Sequence, residues 1–173
     1  MDLITDAARA LIGTRSDWVE ACHPVEPSEL RRFFQATMDP SPRYRSTAVD
    51  GRYGGPVAPP GFPVHAFRRP PSDTKDPLEG MGDPEFDGES RVFRQGLPRM
   101  PIPLQGVLNG GYEYEFLSYA RPGEAIYCRS VYRDLRQRQG RSGPMVLVVI
   151  DDEYAAGAEK RPLLRSTSTT IIR

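Results

Sequence analysis

The last third of the chain constrains the fold most. From residue 108 to residue 172, four segments carry strand-like patterning with only short breaks between them. Residues 108–119 alternate in part, with Tyr112, Tyr114 and Phe116 on one side and Glu113 and Glu115 on the other. Such a period-two aromatic row predicts ordinary sheet packing. Residues 120–124 form a turn and 126–135 a second strand; 136–143 read as a polar turn bearing Arg136, Arg138 and Arg141. Residues 144–154 are an apolar, β-branched run suited to a central strand. Residues 155–161 turn again, and 163–172, rich in Thr, Ser and Ile, close the chain as a strand.

Upstream the pattern is different. Residues 2–12 space Leu3, Ile4, Ala7, Ala8 and Leu11 as a helix stopped by Gly13, and 17–22 allow a short strand around Trp18 and Val19. The clearest helix spans 29–38. Ser28 is its expected N-cap, and Leu30, Phe33, Phe34 and Thr37 fall on one face. Asp39-Pro40 ends it, because a residue before proline resists the α region. A helix followed by hairpin-linked strands means an α+β fold, with the apolar stripe of the helix on the concave face of one curled antiparallel sheet.

Composition fills in the middle. The chain has 173 residues, enough for one domain with a real core. It also has 18 prolines and 16 glycines, too many for regular elements alone. They concentrate in 41–104, where only 62–67 allow a short helix. A single domain over 1–173 with a long irregular loop at about 68–104 is therefore expected. Lys and Arg equal Asp and Glu at 23 each, which argues against a nucleic-acid or membrane partner. The longest apolar run, 145–150, is far short of the roughly 20 residues that span a bilayer. Asp2, Asp6 and Arg9 interrupt any signal-like segment, so a cytoplasmic location is expected. Cys22 and Cys128 lie far apart and His23 and His65 stand alone, so no metal site is expected.

Four short motifs then occur in order. Residues 36–44 (ATMDPSPRY) follow the helix and resemble A-x-G-D-x-N-P-x-H. Residues 54–63 (GGPVAPPGFP) are similar to G-x-x-A-P-P-x-F-P. Residues 107–116 (VLNGGYEYEF) resemble a strand opening with L-H-G, and Arg121-Pro122-Gly123-Glu124 matches a P-G-D turn. Together they resemble the MaoC-like hydratases and R-specific enoyl-CoA hydratases, specifically the N-terminal, FAS1-like dehydratase half type. The resemblance covers roughly residues 16–173.

That resemblance implies the hot-dog fold, a long central helix wrapped by a curled antiparallel sheet. It implies hydration of trans-2-enoyl-CoA or dehydration of 3-hydroxyacyl-CoA, with the CoA thioester as substrate and no other cofactor. In the family an Asp and a His activate one water while backbone amides polarise the thioester oxygen. Here Asp39 stands at the Asp position, Tyr44 at the His position, Ser41 for Asn and Met38 for Gly. A tyrosine with a pKa near 10 is a poor base at neutral pH. The substrate pocket is expected to draw on Pro42, Ala58, Pro59, Pro60, Gly61, Phe62, Asn109 and Gly110.

The broken dyad and single-domain length imply the degenerate half of a shared site, whose partner is a second hot-dog subunit, heteromeric rather than a second copy. Two alternatives stay open: a homodimeric hydratase using Asp39 with another base such as His65, or a non-catalytic acyl-CoA-binding protein. Each key residue also has a plain reading. Asp39 can be a turn former, Tyr44 a packing residue, His65 a satisfied histidine and Pro59-Pro60-Gly61 a rigid turn. The arginines of 133–141 read as a solvated hairpin tip rather than a CoA-phosphate site.

Overall fold

The computed structural model describes residues 2–48, 52–67, 82–84, 93–104 and 106–173. Most of the expected irregular loop, 68–81 and 85–92, lies outside the described residues. In chain order the elements are α1 (Asp6–Arg9), β1 (Val19–Glu20), α2 (Pro27–Ala36), a 3-10 turn (Pro42–Tyr44), α3 (Phe62–Ala66), β2 (Val107–Phe116), β3 (Ile126–Gly140), β4 (Gly143–Ala156) and β5 (Arg161–Ile172). The strands form one antiparallel sheet in the order β1-β3-β4-β5-β2. A helix laid on the concave face of this sheet is the hot-dog arrangement.

The apolar pattern explains the packing. Leu30 and Phe34, four residues apart on α2, are buried. Leu30 joins Phe62, Ile126, Cys128, Tyr154 and Leu164 in one cluster, so α2 and α3 cover one end of the sheet. The other end is covered by Leu3, Ile4 and Ala8 of the N-terminus and by Leu97, Met100 and Ile102. These pack on Tyr132, Val146, Val148 and Ile150. The inward row of β3 runs Ile126, Cys128, Ser130, Tyr132, and then shifts at a bulge between Tyr132 and Asp134.

Several boundaries differ from the sequence pattern. Glu26, not Ser28, caps α2. Pro27 occupies the first helical position, where its missing N–H costs nothing, and it drives the preceding residue into the extended conformation that a cap needs. The helix expected over 2–12 shrinks to α1, because the Thr5 hydroxyl accepts from the Ala8 amide and starts the helix there. Its exit is fixed by Gly13, whose amide donates to the Tyr132 carbonyl at 2.8 Å. The expected turns at 136–143 and 155–161 shorten to 141–142 and 157–160. The polar residues of 136–140 instead extend β3 into solvent, as one-sided antiparallel strands allow. Among them Arg136 pairs with Asp134, and just before them Arg133 pairs with Asp151.

The aromatic row of β2 also departs from expectation. Tyr112, Tyr114 and Phe116 stack on one another with centroid spacings of 5.8 and 5.9 Å, yet they stand exposed. They lie opposite Ser168, Ser166 and Leu164 of β5, so they project from the same face as the helix, at the edge of the sheet.

The end of α2 carries a local strain. Met38 adopts φ 54°, the left-handed region that commonly terminates helices and that favours glycine. A side chain there costs roughly 1–2 kcal/mol, and Met38, 86% exposed, recovers little of this by packing. Met38→Gly should therefore raise the stability measured by urea unfolding by about 1 kcal/mol, the extra freedom of the unfolded glycine offsetting part of the gain.

Candidate functional site

The site forms where α2 ends. The Asp39 amide donates to the Phe34 carbonyl at 3.0 Å, and the Asp39 Oδ1 accepts from the Ser41 amide at 3.0 Å. This Asp-centred turn launches the 3-10 turn, which starts at Pro42 and ends at Tyr44. Tyr44 is buried and stacks on Phe34 at 6.4 Å. The Val57 amide donates to the Arg43 carbonyl and the Ala58 amide to the Ala120 carbonyl, so the two motif segments are held side by side.

The structure thus brings Asp39 and Tyr44 together. Burial, and then the adjacent Asp39 carboxylate, push the Tyr44 phenol above its ordinary pKa. The phenol therefore stays protonated at neutral pH, and the pair is a carboxylate beside a neutral hydrogen-bonding group. It lacks the imidazole that would accept and return a proton. His65 is placed elsewhere. Its Nε2 lies 3.7 Å from Glu29 in the first turn of α2, and its ring packs on Phe33 and Phe62. Glu29 lies in the first turn of α2, whereas Asp39 lies beyond its C-terminal end.

The expected pocket residues divide. Ala58 and Phe62 are buried in the core, and Phe62 meets Phe33 edge-on at 5.7 Å. The Pro59 carbonyl accepts from the Phe62 amide, and Gly61 caps α3. Pro60 lines a cleft of about 380 Å³ with Tyr53, Val57, Phe116, Tyr119 and Arg161. A second cleft of about 530 Å³ lies against Leu30, Phe34, Tyr44, Arg45 and Pro56. Asn109 and Gly110 lie toward the other end of β2, at a bulge. A Cβ on Gly110 would sit 2.8 Å from the Thr169 carbonyl oxygen, which accounts for the glycine. Within this chain they do not meet the Asp39 site.

One site the sequence reading missed lies at mid-sheet. Asp152, fully buried, receives both the Nε and Nη2 of Arg94 at 2.9 Å, with Ser130 and Ser166 donating to its two oxygens. Arg94 also reaches Ser168 and its neighbour's carbonyl at Phe93. Burial alone would lower the Arg94 pKa, but the hydrogen bonds and charge of Asp152 raise it overall. This knot, with Tyr132 donating to the Pro98 carbonyl, pins residues 93–104 across the concave face. Beside it, burial pushes the Cys128 thiol up to about 12. At pH 8 a thiol reagent should label one cysteine per native chain, the partly exposed Cys22, and reach Cys128 only after unfolding. Rapid labelling of both would contradict this packing.

Among the described residues no group of three or more His, Cys, Asp and Glu is arranged to hold a metal, and no helix is long and apolar enough to cross a membrane.

Comparisons with known proteins agree with this fold. The chain is similar to the ChsH1–ChsH2 complex of Mycobacterium tuberculosis, at 20% identity over 98% of this chain and 90% of that one, with a TM-score of 0.66. It is also similar to a MaoC-like dehydratase from Rhodospirillum rubrum, at 19% identity over 93% and 91% of the two chains, TM-score 0.59. A third is the C-terminally truncated HadBC (3R-hydroxyacyl-ACP dehydratase) complex of M. tuberculosis, at 15% identity over 93% and 96%, TM-score 0.60. Among curated proteins none matches. The model of the FAS1-like dehydratase domain region matches residues 10–161, which is most of the chain. With this match over most of its length, and with the fold of the solved structures above, this chain belongs to the FAS1-like dehydratase domain family.

Proposed function

We propose that this chain is the degenerate subunit of an enoyl-thioester hydratase or 3-hydroxyacyl-thioester dehydratase. It completes the acyl pocket while a second, MaoC-like hot-dog chain supplies the working Asp and His. The observation that carries this reading is the Asp39–Tyr44 pair. Asp39 and Tyr44 lie on one local turn, at the positions where the resemblance puts the family's dyad, and the second member is a phenol whose pKa burial and Asp39 raise further. The exposed aromatic row on β2 supports the partner. It stands on an edge strand that pairs only with β5 among the described strands, and the matching edge of a second hot-dog sheet would cover both its apolar face and its open backbone groups. Two of the similar solved structures are complexes, ChsH1–ChsH2 and HadBC.

The direct test is reconstitution. The chain is purified alone and with a MaoC-like partner bearing D-x-N-P-x-H, and hydration of a trans-2-enoyl-CoA is followed. The lone chain should be inactive and the pair active. Full turnover by the lone chain would overturn the reading, and binding of the thioester without turnover in any pair would leave only a binding role.

A further inference from the structure

Several guanidiniums on and around the sheet are matched: Arg94 with Asp152, Arg129 and Arg15 with Glu153, Arg133 with Asp151, Arg161 with Glu124 and Arg165 with Glu115. Around the end of α2 four arginines stand close together beside aromatic rings. Among the described residues no carboxylate lies within ion-pair distance of Arg43, Arg45, Arg52 or Arg121. The nearby carboxylates are engaged elsewhere. Glu124 takes both oxygens to Arg161 and also accepts from the Arg121 amide, and Asp39 accepts from Ser41 and faces Tyr44.

These four arginines form one continuous arrangement with aromatic rings. Arg52 lies over Tyr53 at 5.8 Å, and Tyr53 meets Tyr119 at 5.0 Å. Arg43 donates to the Tyr119 hydroxyl at 3.0 Å and sits 6.0 Å from both the Tyr119 and Tyr44 rings. Tyr44 stacks on Phe34, which carries Arg45 at 5.7 Å. Arg121 donates to the Tyr53 carbonyl at 3.1 Å. The row borders both clefts: Arg45 lines the larger, and Arg52 and Arg121 line the smaller. Guanidiniums set on ring faces beside apolar clefts, with no carboxylate in ion-pair distance among the described residues, suit a ligand with phosphate at one end and an apolar arm at the other. Arginine forks match phosphate oxygens, and ring contacts hold the forks at low entropic cost.

We infer that Arg43, Arg45, Arg52 and Arg121 form the phosphate-recognition site of this subunit, taking the phosphorylated pantetheine arm that carries the acyl thioester. The inference rests on the function proposed above for the pocket and names the residues and the chemistry at its mouth. Coenzyme A and a carrier protein's phosphopantetheine share that phosphate, so the ligand chemistry is the same for both.

The test uses the chain in complex with its hot-dog partner. CoA, 4′-phosphopantetheine and pantetheine are titrated calorimetrically against wild type and against the combined variant Arg43→Gln, Arg52→Gln, Arg121→Gln. Arg52→Gln alone serves as a second variant, since Arg52 is itself exposed and lies over the Tyr53 ring. Wild type should bind CoA at least roughly tenfold more tightly than pantetheine, and the combined variant should lose that advantage. Arg52→Gln should lose part of it, and the advantage should shrink as salt rises. Loss for CoA and 4′-phosphopantetheine alike marks the phosphate common to both sources, and loss for CoA alone would put the arginines on the nucleotide part and overturn the pantetheine-phosphate assignment. Equal CoA affinity in wild type and both variants overturns the inference. Hydration of an enoyl-pantetheine thioester, which has no phosphate, reports on the proposed function separately. Turnover there together with unchanged CoA affinity would retain the function and discard the arginine site.

Discussion

Arg94→Met is expected to cost about 3–5 kcal/mol, the largest stability loss from any single change discussed for this chain. The reason is the partner left behind. Asp152 has no exposed side-chain surface, and Arg94 supplies its only ionic partner among the described residues, through two hydrogen bonds. Methionine fills much of the arginine's volume but leaves a carboxylate buried without its counter-charge. Urea unfolding should show the loss directly, and the melting temperature should fall by on the order of 10 °C for a chain of this size. Adding Asp152→Leu should recover at least half of it, because removing both charges removes the desolvation cost along with the attraction. A loss below 1 kcal/mol in Arg94→Met would mean that residues 93–104 are not held as described.

The second large effect concerns association. On the function proposed here, Tyr112→Asp should abolish assembly with the proposed hot-dog partner and reduce thioester turnover of the pair by roughly a hundredfold or more. Tyr112 is 41% exposed at the start of the stacked row, so the isolated chain should melt almost unchanged. A carboxylate within the proposed apolar interface must either stay solvated, which keeps the two edges apart, or be buried unpaired. Sedimentation of the mixed chains separates the outcomes. An intact complex with Tyr112→Asp would place the partner on a different surface.

Much of this fold could be read from the residues, for physical reasons that differ by element. Strands β3, β4 and β5 and the helix α2 each bury one face, so their periodicity was written in the apolar positions: Leu30 and Phe34 on the helix, Val146, Val148 and Ile150 along β4. Ends were harder to read, because capping depends on which of two nearby polar residues the backbone selects. Pro27 decided in favour of Glu26 over Ser28. The aromatic row of β2 misled because alternation shows that side chains share a face, not that anything covers it. The Asp39–Tyr44 pair was legible because its turn is local, spanning a few residues. The Arg94–Asp152 knot joins residues 58 positions apart, and only one signal pointed to it. Asp152 occupies an inward position in the row Val146, Val148, Ile150, Asp152, Tyr154, where a carboxylate requires a partner. The arginine row could not be read from sequence at all. It depends on which guanidiniums find carboxylates in space.

The central claim is that the Asp39–Tyr44 pair shapes a shared pocket and moves no proton. The most direct measurement is kcat for enoyl-thioester hydration by the two-chain complex carrying Asp39→Asn and Tyr44→Phe together, beside the same complex with the partner's own motif Asp replaced by Asn. The account predicts kcat within about threefold of wild type in the first case, and a loss of roughly a hundred- to ten-thousandfold in the second, the usual contribution of a positioned acid–base group. A loss of that size from the Asp39 and Tyr44 changes, with assembly intact, would contradict it.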